Sequence, residues 1–155
     1  MRFHDFHAEV WLPRPREEVF PFFANAHNLA RITPPHLHFR IVTPGPIEMR
    51  PGAIIEHRLR VRGLPIRWRS EITAWEPPHR FVDEQRRGPY RAWIHEHTFE
   101  EHDGGTLCRD HVRCAHFGGP LVHRFLVRPD VERIFAYRAA ALRELFGEIS
   151  GGGRD

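Results

Sequence analysis

A chain of 155 residues, 41% apolar and 12% aromatic, is long enough for one domain with a core of its own, without disulfide or metal staples. Twelve glycines and 14 prolines are too few for a disordered chain, and no run approaches the roughly 18 uncharged apolar residues that span a bilayer. The 23 basic residues, all arginine, stand against 20 acidic ones for a net charge of +3. They are interleaved with acids, as in Arg16-Glu17-Glu18 and Glu84-Gln85-Arg86, and lack the single-sign stripe that nucleic acid requires. The opening MRFHDFHAEV has no basic region followed by an apolar one, so a cytoplasmic protein without membrane insertion is expected.

Phe6, Ala8, Val10 and Leu12 alternate with His7, Glu9 and Trp11, which predicts a first strand. Pro13 and Pro15, then Glu17 and Glu18, suit a helix start, where a missing N–H and a negative charge are tolerated. Pro21 is expected to end or kink this helix early, with Asn25 as a stop. A second short helix over 26–32 halts at Thr33-Pro34-Pro35. Six β-like runs follow, over 38–42, 53–62, 66–75, 80–86, 90–101 and 106–114. Their dividers include Gly63-Leu64-Pro65, Glu76-Pro77-Pro78 and Asp103-Gly104-Gly105, and connections this short imply an antiparallel meander. Arg58, Arg60 and Arg62 alternate on one strand and share a face, the wet one.

Cys108 and Cys114 stand six residues apart on one strand, about 20 Å along the backbone, too far for a disulfide. Both are expected reduced. After Gly118-Gly119-Pro120 the apolar period lengthens to three and four residues, through Leu121, Phe125, Val131, Ile134, Phe135, Leu142 and Phe146. This predicts a long C-terminal helix, bent or restarted at Pro129 and ending before Gly151-Gly152-Gly153. The fold class is therefore α+β, with a seven-stranded curved antiparallel sheet wrapped around that helix and two short helices between strands 1 and 2. One domain covers 1–149, followed by a flexible tail over 150–155. The gap between helix and sheet can be a cavity.

This element order resembles the START-like helix-grip fold of the SRPBCC superfamily over nearly the whole chain. Several strings are similar to those of a small bacterial ligand-binding, polyketide cyclase/dehydrase-like group. They are Asn28-Leu29 with Ile32-Thr33-Pro34-Pro35, Gly63-Leu64-Pro65-Ile66-Arg67-Trp68, Phe81-Val82-Asp83-Glu84-Gln85, Trp93-Ile94-His95-Glu96-His97-Thr98-Phe99 and Ile134-Phe135-Ala136-Tyr137-Arg138. The resemblance implies a pocket and leaves its occupant open, because that superfamily holds carriers, sensors, cyclases and chaperone cofactors.

Strand parity supplies the candidate lining. Trp93, His95, His97 and Phe99 share one face, Phe81, Asp83 and Gln85 another, and Cys108 and Asp110 a third. If the apolar members mark the inside, the polar ones go in with them and need partners, water or a ligand. Three roles are open to a buried His97–Asp110 pair: fixing strand register, orienting a ligand, or general acid/base catalysis with His95, His97 and Asp110 as candidates. Arg138 falls on the apolar side of the long helix and must meet Asp83, Asp110 or a bound acidic group.

His95-Glu96-His97 puts two imidazoles on one side of a strand, but His-x-His arises readily by chance with 13 histidines, so no metal and no cofactor are expected. Neither serine, Ser70 or Ser150, sits in a nucleophile-elbow string, and no phosphate loop is present. The favoured reading is a binder of a hydrophobic small molecule, a lipid, isoprenoid or polyketide-like compound. Its contacts are Trp68, Phe81, Asp83, Gln85, Trp93, His95, His97, Phe99, Phe135 and Arg138. The alternatives are a cyclase/dehydrase-like enzyme in the same cavity and a protein-interaction module with a filled core.

Overall fold

The computed structural model describes residues 1–147; the expected tail lies outside the described residues. Seven strands form one antiparallel sheet in the order β1-β7-β6-β5-β4-β3-β2. They are β1 (His4–Leu12), β2 (Arg40–Ile41), β3 (Ile54–Val61), β4 (Leu64–Glu76), β5 (Arg80–Arg87), β6 (Ala92–His102) and β7 (Gly105–Ala115). Apart from β1, each strand pairs with its neighbours in sequence, and β1 closes on β7 from His4 opposite Cys114 to Leu12 opposite Thr106. The alternation read from the sequence is the one observed: Val10 and Leu12 are buried while Glu9 and Trp11 face out.

Helix α1 (Arg16–Ala24) begins behind an extended Pro15 and carries Glu17 and Glu18 in its first turn. Pro21 does not end it. The helix runs three residues further, because the burial of Val19 and Phe20 holds the turn together where the proline removes a hydrogen bond. The next segment, Ala26–Ile32, is a 3₁₀ helix opened by the Asn25 side chain accepting from the His27 N–H at 3.1 Å.

Three of the boundaries that differ from the sequence reading have a local cause. Strand β2 keeps only two residues because Pro35–Leu37 makes a further 3₁₀ turn and His38 caps it in the left-handed region at φ 49°. The β3–β4 connection needs only Arg62 and Gly63, both at positive φ (51° and 79°), so Leu64 and Pro65 join β4. The β6–β7 hairpin likewise turns on Asp103 and Gly104, and Gly105 joins β7. There a Cβ would stand 2.3 Å from the carbonyl oxygen of Leu12, so only glycine fits.

The C-terminal rod is 28 residues long and is built from α2 (Gly119–Val122), a π-helical turn (His123–Val127) and α3 (Arg128–Phe146). Pro129 follows the π-helical turn directly, at the start of α3. One stripe of α3, Val131, Arg138 and Leu142, is buried. Leu142 joins Val10, Leu12, Phe20, Ile72 and Phe99 in the core. Arg58, Arg60 and Arg62 are solvent-facing as expected, and Arg62 pairs with Asp130 of α3 at 3.0 Å. Cys108 and Cys114 are free and buried. Burial pushes the Cys108 thiol up to about 12 and the Cys114 thiol to about 11, so neither forms a thiolate at neutral pH.

Candidate functional site

Between the concave side of the sheet, the Ala26–Ile32 segment and α3 lies a cavity of about 180 Å³. Its walls are apolar: Phe22, Leu29, Ile55, Ile72 and Trp93 contribute, and Ile134 closes it from α3. Trp68, Phe81, Asp83, Trp93, His95, His97 and Arg138, expected in the lining, are all there. Gln85, Phe99 and Phe135 are not. The Gln85 amide donates to the Tyr90 carbonyl at 2.7 Å and accepts the Tyr90 N–H at 3.1 Å, so both of its ends are consumed in clipping the β5–β6 connection. Phe99 belongs to the packed core, 2% exposed, between Phe20 and Phe23. Phe135 stands outside the lining and sets its ring edge-on to His95 at 5.6 Å. Asp110 sits behind His95, one step back from the cavity wall.

The polar floor follows from strand register. Asp83 lies opposite His95, and His97 opposite Asp110. The hydrogen bonds nevertheless run diagonally: His95 Nε2 to Asp110 Oδ1 at 2.7 Å, and His97 Nε2 to Asp83 Oδ2 at 2.7 Å. Diagonal neighbours in a twisted sheet are within reach of an imidazole. His97 Nδ1 is 3.3 Å from Asp110 Oδ1 but too poorly aligned to hydrogen-bond, so the expected His97–Asp110 pair is an ion contact and the bond of His97 goes to Asp83. The two imidazoles stack at 3.7 Å, and Phe81 stacks on the outer face of His97 at 4.1 Å.

Electrostatics make this floor charge-balanced. Desolvation is the largest influence on each group and opposes every charge. For Asp83 it is outweighed by the His97 hydrogen bond and the charges nearby, and for Asp110 by the His95 hydrogen bond, the close contact of His97 and the charge of Arg138. Both carboxyls are held below the ordinary carboxylate range, Asp110 well below it. His97 is pushed up because the two carboxylates together overcome its burial. His95 is pushed down, by burial first and then by the charge on His97. These directions favour two carboxylates facing Arg138 and His97, with His97 the more readily protonated of the two imidazoles and His95 the less. Arg138 reaches Asp110 only at 3.5 Å, lies over Phe135 at 5.3 Å, and buries an Nε without a partner.

His57 was not singled out in the sequence, although parity alone places it with Ile55 and Leu59 opposite Arg58 and Arg60. It lines the cavity between Phe39 (4.8 Å) and Trp68 (5.6 Å), and its Nδ1 is buried without a partner. Burial lowers its pKa to about 4, against a smaller opposing pull from Asp83. Ser70, dismissed as a nucleophile, is a buried part of the same lining. As for metals, Asp83, His95 and His97 have donor atoms close enough to share an ion, and the Nε2 atoms of both histidines are hydrogen-bonded to carboxylates within the floor.

Comparison with known proteins agrees with this architecture. Solved structures of the same fold include the aromatase/cyclase Zhui from Streptomyces sp. R1128, 17% identical with a TM-score of 0.73 over 98% of this chain and 100% of that one. Ara h 8.0201 is 18% identical, with a TM-score of 0.64 over 92% and 99%. Protein Ms6760 from Mycobacterium smegmatis is 21% identical, with a TM-score of 0.62 over 91% and 92%. At these identities the likeness shows the helix-grip fold alone. No curated protein sequence matches the chain. A family model described as polyketide cyclase/dehydrase and lipid transport matches residues 4–147, and on that extent the chain belongs to this family, within the SRPBCC-type superfamily.

Proposed function

We propose that this protein binds a hydrophobic small molecule in the cavity between sheet and C-terminal helix. The observation that carries the reading is a largely apolar chamber whose lining also takes in His57, Asp83, His95, His97 and Arg138. About 180 Å³ accommodates a ring-sized guest without rearrangement, and longer lipid or polyketide chains require the walls to part. Burying one aromatic ring removes roughly 200 Å² from water, worth about 5 kcal/mol before the cost of association. The interior is not filled, which counts against the interaction-module reading.

An enzymatic reading is supported by one feature. His95 donates from Nε2 to Asp110, is pushed toward its neutral form by burial, and leaves Nδ1 3.9 Å from Asp83, beyond hydrogen-bond distance. That is the arrangement of an oriented general base. His97, by contrast, has both nitrogens facing carboxylates and nothing left for a substrate. The test is solvent extraction of freshly purified protein with mass spectrometry of what it carried, followed by thermal-shift titration with the recovered compound. A binder keeps its affinity in His95→Gln and returns the compound unchanged. Conversion of the compound by the wild type, lost in His95→Gln, would move the assignment to catalysis. An empty extract with no shift across ring-sized and lipid probes would overturn both.

A further inference from the structure

A second histidine cluster lies away from the cavity, at the edge of the sheet formed by β1. His4 of β1, His116 just after β7 and His123 at the start of the π-helical turn each place a ring nitrogen within 4.8 Å of the other two. His116 Nε2 is 3.0 Å from His123 Nδ1, and the rings of His4 and His123 stack at 3.5 Å. All three are half-buried and in reach of solvent.

Two local features build the cluster. Gly118 and Gly119, both at positive φ (98° and 69°), reverse the chain so that His123 returns over His116. The helix then opens into a π turn at His123, a conformation frequent at functional positions. The tautomer of His116 is fixed as well. Its Nδ1 lies 2.8 Å from the carbonyl oxygen of Phe117, which can only accept, so Nδ1 carries the proton and Nε2 presents its lone pair to the cluster. Metal-ligating histidines are oriented by this kind of outer contact.

We propose that His4, His116 and His123 form a binding site for a first-row divalent transition metal ion, the class that imidazole ligands favour. A tetrahedral ion at about 2.0 to 2.1 Å from nitrogen sets its ligands about 3.3 Å apart, close to the separation of His116 and His123. The ion replaces the proton shared by that pair. His116 supplies Nε2 as it stands, and His123 transfers its proton from Nδ1 to Nε2 through solvent and supplies Nδ1. The stacked His4 ring rotates about χ2 to bring its own nitrogen in, since one ion cannot lie in two parallel ring planes. No proton is gained or lost, and a fourth position stays open to water. Among the described residues two other groups have metal-compatible spacing. Asp5, His7 and His111 already spend a 2.8 Å Asp5–His111 hydrogen bond at the surface, and Asp83, His95 and His97 belong to the balanced floor.

The experiment uses the untagged full chain, stripped by chelator and titrated with Co²⁺ in visible absorption and with Zn²⁺ in calorimetry. One equivalent is expected to bind with the absorption of tetrahedral cobalt. Binding should weaken more than about tenfold in His116→Ala and in His123→Ala, and also in His4→Ala, which leaves the π turn untouched. His7→Ala and His111→Ala should bind as the wild type does. Circular dichroism checks that each variant is folded. Absence of saturable binding to the wild type, equal binding by the His4 and His116 variants, or loss in the His7 variant would each overturn the assignment.

Discussion

His57 offers a test in which magnitude and sign both follow from the structure. Its folded pKa is lowered from the ordinary value of 6.5 to about 4 by burial, so the unfolded chain takes up the proton first as the pH falls. The native state therefore loses stability below about pH 6.5, and the loss continues until the folded pKa is reached. With 1.36 kcal/mol per unit, the contribution is about 2 kcal/mol at pH 5 and about 3 kcal/mol at pH 4. His57→Phe removes that liability and keeps a ring between Phe39 and Trp68. It also removes the orphaned Nδ1, so the variant should be at least as stable as the wild type at pH 7. Urea unfolding of both proteins at pH 7, 5 and 4 reads the difference directly. The stability gap should widen in favour of His57→Phe by about 3 kcal/mol from pH 7 to pH 4. The other titrating histidines contribute equally to both proteins and cancel. Parallel stability-against-pH curves would refute the claim that this imidazole is held neutral by burial.

Removing Arg138 leaves two carboxylates with one cation, and Arg138→Met should cost about 3 kcal/mol in urea unfolding at pH 7. Adding Asp110→Asn to that variant restores the balance, so the double variant should be more stable than Arg138→Met alone. Gly105→Ala forces a Cβ to 2.3 Å from the Leu12 carbonyl and 2.7 Å from the Trp11 ring, and should lower stability by more than about 2 kcal/mol. Gly45→Ala, at φ 68° in open space, should cost only about 1 kcal/mol in the same assay.

Most of the fold was legible because each element rests on a local rule. Alternation gave the faces of β1 and β6, and three-and-four spacing gave α3. Proline and glycine clusters marked every connection to within two or three residues. What was not legible depends on tertiary context. Helix α1 passes through Pro21 while Val19 and Phe20, just before it, are buried in the core. Gln85 shares strand parity with Asp83, yet its amide satisfies Tyr90, and no pattern distinguishes an inward polar side chain from one that turns back to its own loop. The diagonal His–Asp bonds require the sheet's twist, which parity alone does not contain. His4 is far in sequence from His116 and His123, so its meeting with them is a property of the closure of β1 on β7.

The polar floor also bears on what its guest can be. Arg138, with its buried and unpartnered Nε, invites a carboxylate if viewed alone. Its charge, however, is already committed with that of His97 to Asp83 and Asp110, and of these Asp83 faces the cavity. A carboxylate guest would bring a third negative charge out of water to within a few ångströms of Asp83. At an effective dielectric of about 20, two like charges 5 Å apart repel by about 3 kcal/mol, and the guest would lose its hydration as well. Neither a hydroxyl nor a keto group incurs these costs; a hydroxyl can donate to Asp83, and either can accept from the Arg138 guanidinium. Aromatic alcohols should therefore bind at least tenfold more tightly than the matching aromatic carboxylates at pH 7, by calorimetry. Asp83→Asn, by removing the repelling charge, should narrow the gap. Tighter binding of the carboxylate to the wild type would mean that Arg138 is free to act as an anion receptor and that the floor is not balanced.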